Sequence, residues 1–254
     1  MNNAKKVSQK EMRQIQLEML DEIDAFCREH GIRYSLAFGT LIGAIRHKGY
    51  IPWDDDVDII MPLPDMLHFK KEFRSDKLSY HDVETDPYYE FHFSRISYNK
   101  TYTQSGKILR SYGVCIDLYP VVGISEDADI YIQKLRPLLH KRMQHIKWRK
   151  RVIKYLPLKT IPGYRKSVQE YRDKVLFSCP YGEAKNYFHA GSLNKVNIFD
   201  FDAFTDTCDV EFEGHTYMAV GCWHEYLTHC FGDYMQLPPE EDRRPAHGFV
   251  CYWK

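Results

Sequence analysis

Residues 34–61, with the sequence YSLAFGTLIGAIRHKGYIPWDDDVDIIM, decide how this chain is expected to fold. A Gly-Thr pair, Gly39 and Thr40, precedes a short apolar segment that ends in Arg46. Four aspartates within five residues then lead directly into an Ile-Ile-Met run: Asp54, Asp55, Asp56 and Asp58. Neighbouring carboxylates repel one another. A folded chain accommodates them beside an apolar strand when a divalent cation lies among them, so the stretch indicates metal-assisted chemistry.

The aspartates are expected at the start of a strand that runs from about residue 55 to residue 61. Alternate side chains of an extended chain share a face, so Asp54, Asp56 and Asp58 are expected to converge on one side. Asp55 points the other way in this arrangement and is the least favoured ligand.

The acidic run has two alternative structures, an EF-hand loop and a solvated turn. An EF-hand loop that starts at Asp54 needs Gly at its sixth position and Glu at its twelfth. Ile59 and Asp65 stand there, which excludes an EF-hand. A solvated acidic turn is the alternative, although such turns rarely run directly into an apolar strand.

The Gly-Thr pair is expected at the beginning of a helix. Residues 32–37 have the pattern of a short strand, and residues 41–47 fit two helical turns. Gly39 and Thr40 then lie at a helix N-terminus, where the N–H groups and the helix dipole attract phosphate. A helix cap without a ligand is the alternative.

Two aromatic and β-branched runs, residues 91–98 and 113–119, are predicted as neighbouring strands of one sheet. Asp117 completes a carboxylate cluster for one or two Mg²⁺ ions if its strand lies beside the aspartate strand. A turn cap or a partner for an arginine is the alternative role for Asp117. Arg95 faces either a phosphate or, equally well, an ion pair at the edge of the core.

The flanking elements are predicted from local patterns. A capping box at Ser8 and Glu11 begins an amphipathic helix over residues 9–30, and residues 65–74 form a second helix. Two strands are expected within residues 200–220, around Gly214, and a helix over residues 223–231 that Gly232 ends.

The composition indicates a globular protein. The chain has 254 residues, of which 44% are hydrophobic, and 35 basic residues balance 35 acidic ones. Seven scattered cysteines fit reduced thiols of a cytoplasm. No signal peptide or membrane-spanning run is expected. A zinc site is disfavoured because four residues follow no familiar ligand spacing: Cys222, His224, His229 and Cys230.

One segment departs from the charge balance. Residues 131–169 contain no Asp or Glu and twelve Lys or Arg residues. With its interleaved apolar residues, the segment resembles a basic amphipathic helix that lies on an anionic membrane. A solvated helix face is the alternative, and nucleic acid is disfavoured because no recognition motif accompanies the segment.

Two stretches resemble the LicD-type phosphocholine transferase family, which includes fukutin and fukutin-related protein. They are FGTLIGAIRHKGYIPWDDDVDIIMP, residues 38–62, and HEYLTHCFGDYMQLPPEEDRRPAHG, residues 224–248. The tail departs from the family pattern at Phe231, where Tyr is usual, and in lacking a proline before its helix.

The resemblance implies an α+β fold like that of the polymerase-β nucleotidyltransferases, with a mixed sheet, flanking helices and an added helical segment. We expect one domain over residues 1–254, comprising the helix 9–30, a nucleotidyltransferase core 31–125, a basic helical insertion 126–200 and a C-terminal segment 201–254. The implied catalytic residues are Asp56, Asp58 and Asp117, and these three with Asp54 are the implied ligands of Mg²⁺ or Mn²⁺.

The implied reaction transfers a phospho-alcohol from a CDP-linked donor, most often CDP-choline, onto a hydroxyl of a cell-surface glycan or teichoic-acid-type precursor, free or lipid-linked. CMP is released. Asp117 is the implied general base or a further metal ligand, and an aromatic cage that includes Trp53 is expected for choline. The implied donor-binding residues are Gly39, Thr40, Arg46, Trp53, Arg95, Arg243 and His247. The expected location is the cytoplasm, and a peripheral position at the inner face of the plasma membrane is a further option.

Three alternatives remain at this stage. The donor is CDP-ribitol or CDP-glycerol; the protein is a metal-dependent glycosyltransferase; or it is a membrane-associated scaffold without catalysis. A glycosyltransferase would carry several strand-helix units before its aspartates, whereas this chain has one short strand and one helix there. The glycosyltransferase is therefore less favoured.

Overall fold

A computed structural model of the chain describes residues 4–86, 89, 91–105, 108–110, 112–152, 160–189, 198–245 and 250–254. The helices are α1 (Gln9–Glu29), α2 (Phe38–His47), α3 (Leu63–Glu72), α4 (Ala128–Val152), α5 (Tyr164–Tyr171) and α6 (Trp223–Phe231). The strands are β1 (Ser35–Leu36), β2 (Asp58–Pro62), β3 (Leu78–His81), β4 (Ser94–Tyr98), β5 (Thr101–Ser105), β6 (Ile108–Arg110), β7 (Cys115–Ile124), β8 (Asn186–His189), β9 (Ile198–Phe199), β10 (Thr207–Phe212), β11 (His215–Val220) and β12 (Cys251–Trp253).

The central sheet is mixed. Its strands follow the order β1-β2-β7-β4-β3, and β8 pairs with the second half of β7 and continues to β9. β2 runs parallel to β7, whereas β4 and β8 run antiparallel to it. The predicted α+β fold with a mixed sheet and flanking helices is confirmed, as are the predicted neighbours of the strand that carries Asp117.

The aspartate strand begins later than predicted, at Asp58 rather than near residue 55. Arg13 of α1 donates to the carbonyl oxygen of Asp54 at 3.0 Å, and Gln16 donates to that of Asp55 at 3.3 Å. These two bonds hold the backbone of the acidic run against α1, ahead of the strand that starts at Asp58. Asp54, Asp55 and Asp56 therefore lie in a loop that α1 holds.

The N-terminal helix follows its sequence signals. Ser8 Oγ accepts from the Glu11 N–H at 3.2 Å, and the Glu11 carboxylate accepts from the Ser8 N–H at 2.9 Å, which forms the predicted capping box. One face of α1 is apolar and buried in the main core: Met12, Ile15, Met19, Leu20, Ile23 and Cys27.

The C-terminal region packs onto the strand that precedes α2. β10 and β11 form the predicted hairpin around Gly214, whose φ is +79°. The Val220 N–H donates to Ser35 Oγ at 3.0 Å, and the Met218 N–H donates to the Tyr34 hydroxyl at 3.1 Å. These bonds fix the start of α2 to the C-terminal half of the chain.

The basic segment forms more than the single helix that its pattern suggests. It contains most of α4 and α5, and residues 153–159 between them lie outside the described residues. α4 buries one apolar side against the sheet through Tyr131, Leu135 and Leu139. No helix in the described part of the chain combines the length and the apolar character that crossing a bilayer requires.

Candidate active site

A row of charged side chains crosses three strands of the central sheet. Asp58 of β2 is in register with Asp117 of β7, which is in turn in register with Arg95 of β4. Residues directly opposite one another on neighbouring strands point to the same face of a sheet. The two aspartates that the sequence placed on separate strands therefore lie side by side.

The three aspartates of the preceding loop form a second, adjoining group. Asp54, Asp55 and Asp56 each place a carboxylate oxygen within 4.8 Å of the others. Asp55 was expected to point away from the other two, but it belongs to this group. Its side chain is buried. Among the described residues, these three are the one set of at least three His, Cys, Asp or Glu side chains that lie close enough to share an ion. Asp58 and Asp117 do not belong to this set.

Mutual repulsion and burial oppose the ionised form of these acids. Burial, followed by the Asp56 carboxylate, raises the pKa of Asp54 to about 7. Burial, followed by the carboxylates of Asp56 and Asp117, raises the pKa of Asp58 well above its usual range. A cation bound among these carboxylates would offset their repulsion and lower the free energy of the ionised site.

The donor atoms fit a divalent cation of the Mg²⁺ or Mn²⁺ class. All are carboxylate oxygens, the ligands that hard cations prefer. Asp58 Oδ1 is buried and has no hydrogen-bond partner among the described residues. A buried, unpartnered anionic oxygen is unfavourable unless a ligand satisfies it.

The Gly-Thr pair lies in the first turn of α2, which begins at Phe38 rather than at residue 41. Phe38 has a φ of +47°, a conformation that non-glycine residues rarely adopt and that is often found at functional sites. A side chain at Gly39 would place its Cβ 2.5 Å from Asp54 Oδ2. Thr40 Oγ1 accepts from the Asp58 N–H at 3.0 Å. Helix start, acidic loop and β2 thus meet at one point.

Arg95 is buried and forms an ion pair with Asp117. Its Nε and Nη2 donate to the two Asp117 carboxylate oxygens at 2.5 and 2.7 Å. The Phe91 ring lies 4.4 Å from the guanidinium carbon. Of the two roles that the sequence left open for Arg95, the structure has the ion pair, and its contact with a donor phosphate stays a prediction.

Arg46 lies at the end of α2 and holds the C-terminal segment. Its Nη1 donates to the carbonyl oxygens of Tyr234 and Gln236 at 2.5 and 3.2 Å. The side chain therefore joins the two stretches that carry the family resemblance, and its predicted contact with phosphate stays a prediction.

Trp53 and Arg243 also connect the two ends of the chain. The Arg243 guanidinium lies 5.5 Å from the centre of the Trp53 ring. Trp53 directly precedes the acidic loop in the sequence. His247, the remaining predicted donor-binding residue, lies outside the described residues.

Sequence analysis missed Arg13 and Gln16, which position the acidic loop through its backbone. Gln16 carries a weak signal, because it is a polar residue within the apolar face of α1 and is 2% exposed. Arg13 carries none, since an arginine on a helix surface is ordinary.

Comparisons with known proteins show which family the chain resembles. Residues 31–173 match the family model described as LicD/FKTN/FKRP, nucleotidyltransferase domain. The chain is 29% identical over 274 residues to the lipopolysaccharide cholinephosphotransferase LicD of Haemophilus influenzae, and the alignment covers 96% of this chain and 97% of that protein. An uncharacterized protein of Rickettsia typhi is 30% identical over 103 residues, or 40% of this chain and 27% of its own. One of Rickettsia prowazekii is 35% identical over 54 residues, or 21% of this chain and 20% of its own.

Proposed function

The chain belongs to the LicD family and is an enzyme of its phosphotransferase class, and we propose that it transfers phosphocholine from CDP-choline onto a hydroxyl of a cell-surface glycan. The observation that carries the proposal is the similarity to a lipopolysaccharide cholinephosphotransferase along nearly the whole of both chains. The row of Asp58, Asp117 and Arg95 beside the acidic loop supports it.

In the proposed reaction, the acceptor oxygen attacks the phosphorus that carries choline. The bond from that phosphorus to the bridging oxygen of the pyrophosphate breaks, CMP leaves with the bond's electron pair, and the proton of the acceptor hydroxyl passes to solvent water. The first N–H groups of a helix have no partner within the helix. We assign those of Gly39 and Thr40 to the pyrophosphate oxygens, where the α2 dipole also stabilises negative charge.

The loop carboxylates and Asp58 have the donor set for a divalent cation, Mg²⁺ or Mn²⁺. Asp54, Asp56 and Asp58 would hold it, with Asp117 next to Asp58. When bound, the cation neutralises charge on the pyrophosphate and on departing CMP.

Asp117 is assigned to the cation side of the site rather than to proton removal. Both of its oxygens already accept hydrogen bonds from Arg95. Charge-assisted bonds hold this carboxylate in its ionised form, which favours a place beside the cation over proton removal. The ion pair fixes the carboxylate beside Asp58.

Half-buried aromatic rings beside Asp58 suit the quaternary ammonium of choline. The Tyr119 ring lies 5.2 Å from Phe38 and 4.3 Å from Phe93, measured between ring centres. Aromatic faces attract such cations without a hydrogen bond. These three rings are our candidates for the choline cage, in addition to Trp53.

Replacing Gly39 with alanine is expected to lower kcat/KM for CDP-choline about tenfold or more. The new Cβ would lie 2.5 Å from Asp54 Oδ2, so the carboxylate must turn away from its place. An error of about 1 Å in the position of a catalytic group costs up to about a hundredfold in rate. The free energy of unfolding should change little, because alanine suits a helix better than glycine.

Gly182→Ala is the matched control for Gly39→Ala, because a Cβ there has nothing within 4 Å. Steady-state kinetics and urea unfolding of both variants measure the effects. Equal kcat/KM for Gly39→Ala and the parent enzyme would show that the Asp54 carboxylate is not held where we place it.

CMP release in the presence of Mg²⁺ tests the donor directly. We expect CDP-choline to exceed CDP-ribitol and CDP-glycerol at least about tenfold in kcat/KM, because only choline carries a quaternary ammonium for aromatic contact. Faster turnover of CDP-ribitol or CDP-glycerol would make the protein a transferase of another phospho-alcohol. Turnover of nucleotide sugars alone would make it a glycosyltransferase.

We propose that the acceptor glycan is a lipopolysaccharide-type or teichoic-acid-type precursor, and that the basic side of α4 lies against an anionic membrane. Ile130, Met143 and Trp148 support the second proposal, since they are 49%, 39% and 44% exposed among the lysines and arginines of that helix. Vesicles with and without anionic lipid would separate this proposal from a solvated helix face.

A further inference from the structure

A cavity of about 510 Å³ lies between α3, α4, α5 and the strand β4. Ser94 and Pro120 line it. They alternate along their strands with Arg95 and Tyr119, so Ser94 and Pro120 face the side of the sheet opposite the aspartate row. Phe91 and Phe93 also line the cavity and contact Arg95 and Tyr119 of the aspartate face. No aspartate of the candidate active site lines it.

A buried arginine forms the polar part of this cavity. Arg142 of α4 is 1% exposed, and its Nη2 donates to the carbonyl oxygen of Phe91 at 2.8 Å. Its Nε is buried without a hydrogen-bond partner, and no carboxylate forms an ion pair with it in the part of the chain that the structure describes. His92 also lines the cavity, and its buried Nδ1 likewise has no hydrogen-bond partner among the described residues. A buried charge without a counter-charge is unfavourable.

The charges along the wall favour an anion. Among the residues that the structure describes, five cationic side chains line the cavity against two acidic ones, Asp82 and Glu84. Lys70 Nζ lies 2.5 Å from both acids, and Arg172 also pairs with Glu84. The acids are thus already compensated, and the remaining positive charge belongs to Lys71, Arg74 and Arg142. Lys71 pairs outside the cavity with Glu72, and Arg74 is exposed, so Arg142 is the most buried of the three cations.

The rest of the wall is apolar. Its floor consists of aliphatic and aromatic side chains: Leu63, Met66, Phe91, Phe93, Val168 and Leu176. Leu67 and Phe177 line the mouth and are 42% and 45% exposed. The volume lies within the usual range of small-molecule sites, about 300–1,000 Å³.

We propose that this cavity binds an anionic amphiphile, with a phosphate or carboxylate head on Arg142 and an alkyl chain along the apolar floor. A free phosphate would satisfy Arg142 but leave the floor in contact with water, and an uncharged chain would leave Arg142 without a counter-charge. The bound molecule is therefore one that carries both groups.

Calorimetric titration with decyl phosphate, in a phosphate-free buffer and below the concentration at which it forms micelles, tests the proposal. The partners for comparison are inorganic phosphate and decanol. We expect decyl phosphate to bind at least about tenfold more tightly than either, because a charge-assisted hydrogen bond adds to apolar burial. Neither nucleotide nor divalent cation is present, so the result does not depend on the proposed transferase activity.

Two variants locate the site. Arg142→Gln should weaken decyl phosphate binding about tenfold or more and leave decanol unchanged. Leu67→Glu places a negative charge at the mouth and should also weaken decyl phosphate, which keeps the test valid if Arg142→Gln does not fold. Phe231→Glu, at a similarly exposed position of α6 that does not line the cavity, should bind as the parent does.

Inorganic phosphate that binds as tightly as decyl phosphate would overturn the role of the apolar floor. Decanol that binds as tightly would overturn the role of Arg142. If Leu67→Glu retains the parent affinity for decyl phosphate, or if Phe231→Glu loses as much affinity as Leu67→Glu does, the ligand lies elsewhere and the proposal is wrong.

Discussion

Replacing Asp58 with asparagine is expected to reduce CMP release from CDP-choline by about a thousandfold. The change removes one carboxylate charge from the proposed cation site and keeps the size of the side chain. Its backbone N–H, which donates to Thr40 Oγ1, stays in place. Loss of a metal ligand removes several kcal/mol of stabilisation from the transition state, and each ~1.4 kcal/mol is tenfold in rate. Steady-state assays of CMP release with saturating Mg²⁺ measure the loss of rate.

The same substitution is expected to leave the folded chain at least as stable without a cation. Because the pKa of Asp58 is raised in the folded protein, this group favours folding at low pH and ceases to do so as pH rises through the raised pKa. At neutral pH and in the presence of a chelator, asparagine avoids the repulsion that an ionised Asp58 meets. Urea unfolding in EDTA measures this effect.

Asp200→Asn is the control, since Asp200 is an exposed aspartate away from the sheet row. It should change neither turnover nor stability. Turnover in Asp58→Asn within about fivefold of the parent would contradict the assignment of Asp58 to the cation. A loss of turnover that accompanies a less stable fold would instead assign Asp58 a structural role.

Replacing Arg95 with methionine is expected to lower the free energy of unfolding by about 3–5 kcal/mol, the usual range when one partner of a buried ion pair is removed. The Arg95 and Asp117 side chains are 5% and 11% exposed. Asp117 would keep its charge in the core and lose two charge-assisted hydrogen bonds. Urea unfolding measures the change.

The double variant Arg95→Met, Asp117→Leu should recover most of this loss, because two apolar side chains replace a buried ion pair at little cost in stability. Lys71→Met removes one partner of an exposed ion pair, with side chains 80% and 42% exposed, and should change stability by less than about 1 kcal/mol. A double variant that is no more stable than Arg95→Met alone would show that the charge of Asp117 is not what destabilises the single variant.

Elements whose signals are local were predictable from the sequence. Helix α6 has the predicted bounds because Gly232, with a φ of +66°, ends it. The capping box and the apolar face of α1 likewise lie within one segment, and α1 ends one residue before the predicted bound. The hydrogen bonds and backbone angles that fix these ends involve neighbours in sequence.

The directions of the arginines were not predictable. Arg46 was expected on a donor phosphate, and Arg95 either on a phosphate or in an ion pair. In the structure Arg46 holds carbonyl oxygens of the C-terminal segment, and Arg95 holds Asp117. A guanidinium bonds to whichever acceptors the fold brings within reach, and these lie 188 and 22 residues away along the chain. Composition and spacing carry no information about that distance.

The sequence by itself determined that four carboxylates follow a Gly-Thr turn and precede an apolar strand, because repulsion, turn formation and strand propensity act between residues close in the chain. Only the tertiary structure decided that β2 begins at Asp58, that Asp58 stands beside Asp117, and that a cavity with a buried Arg142 lies between α3, α4, α5 and β4. The register of paired strands and the packing of α1 and α4 set these positions, and both depend on contacts between segments that are distant in sequence.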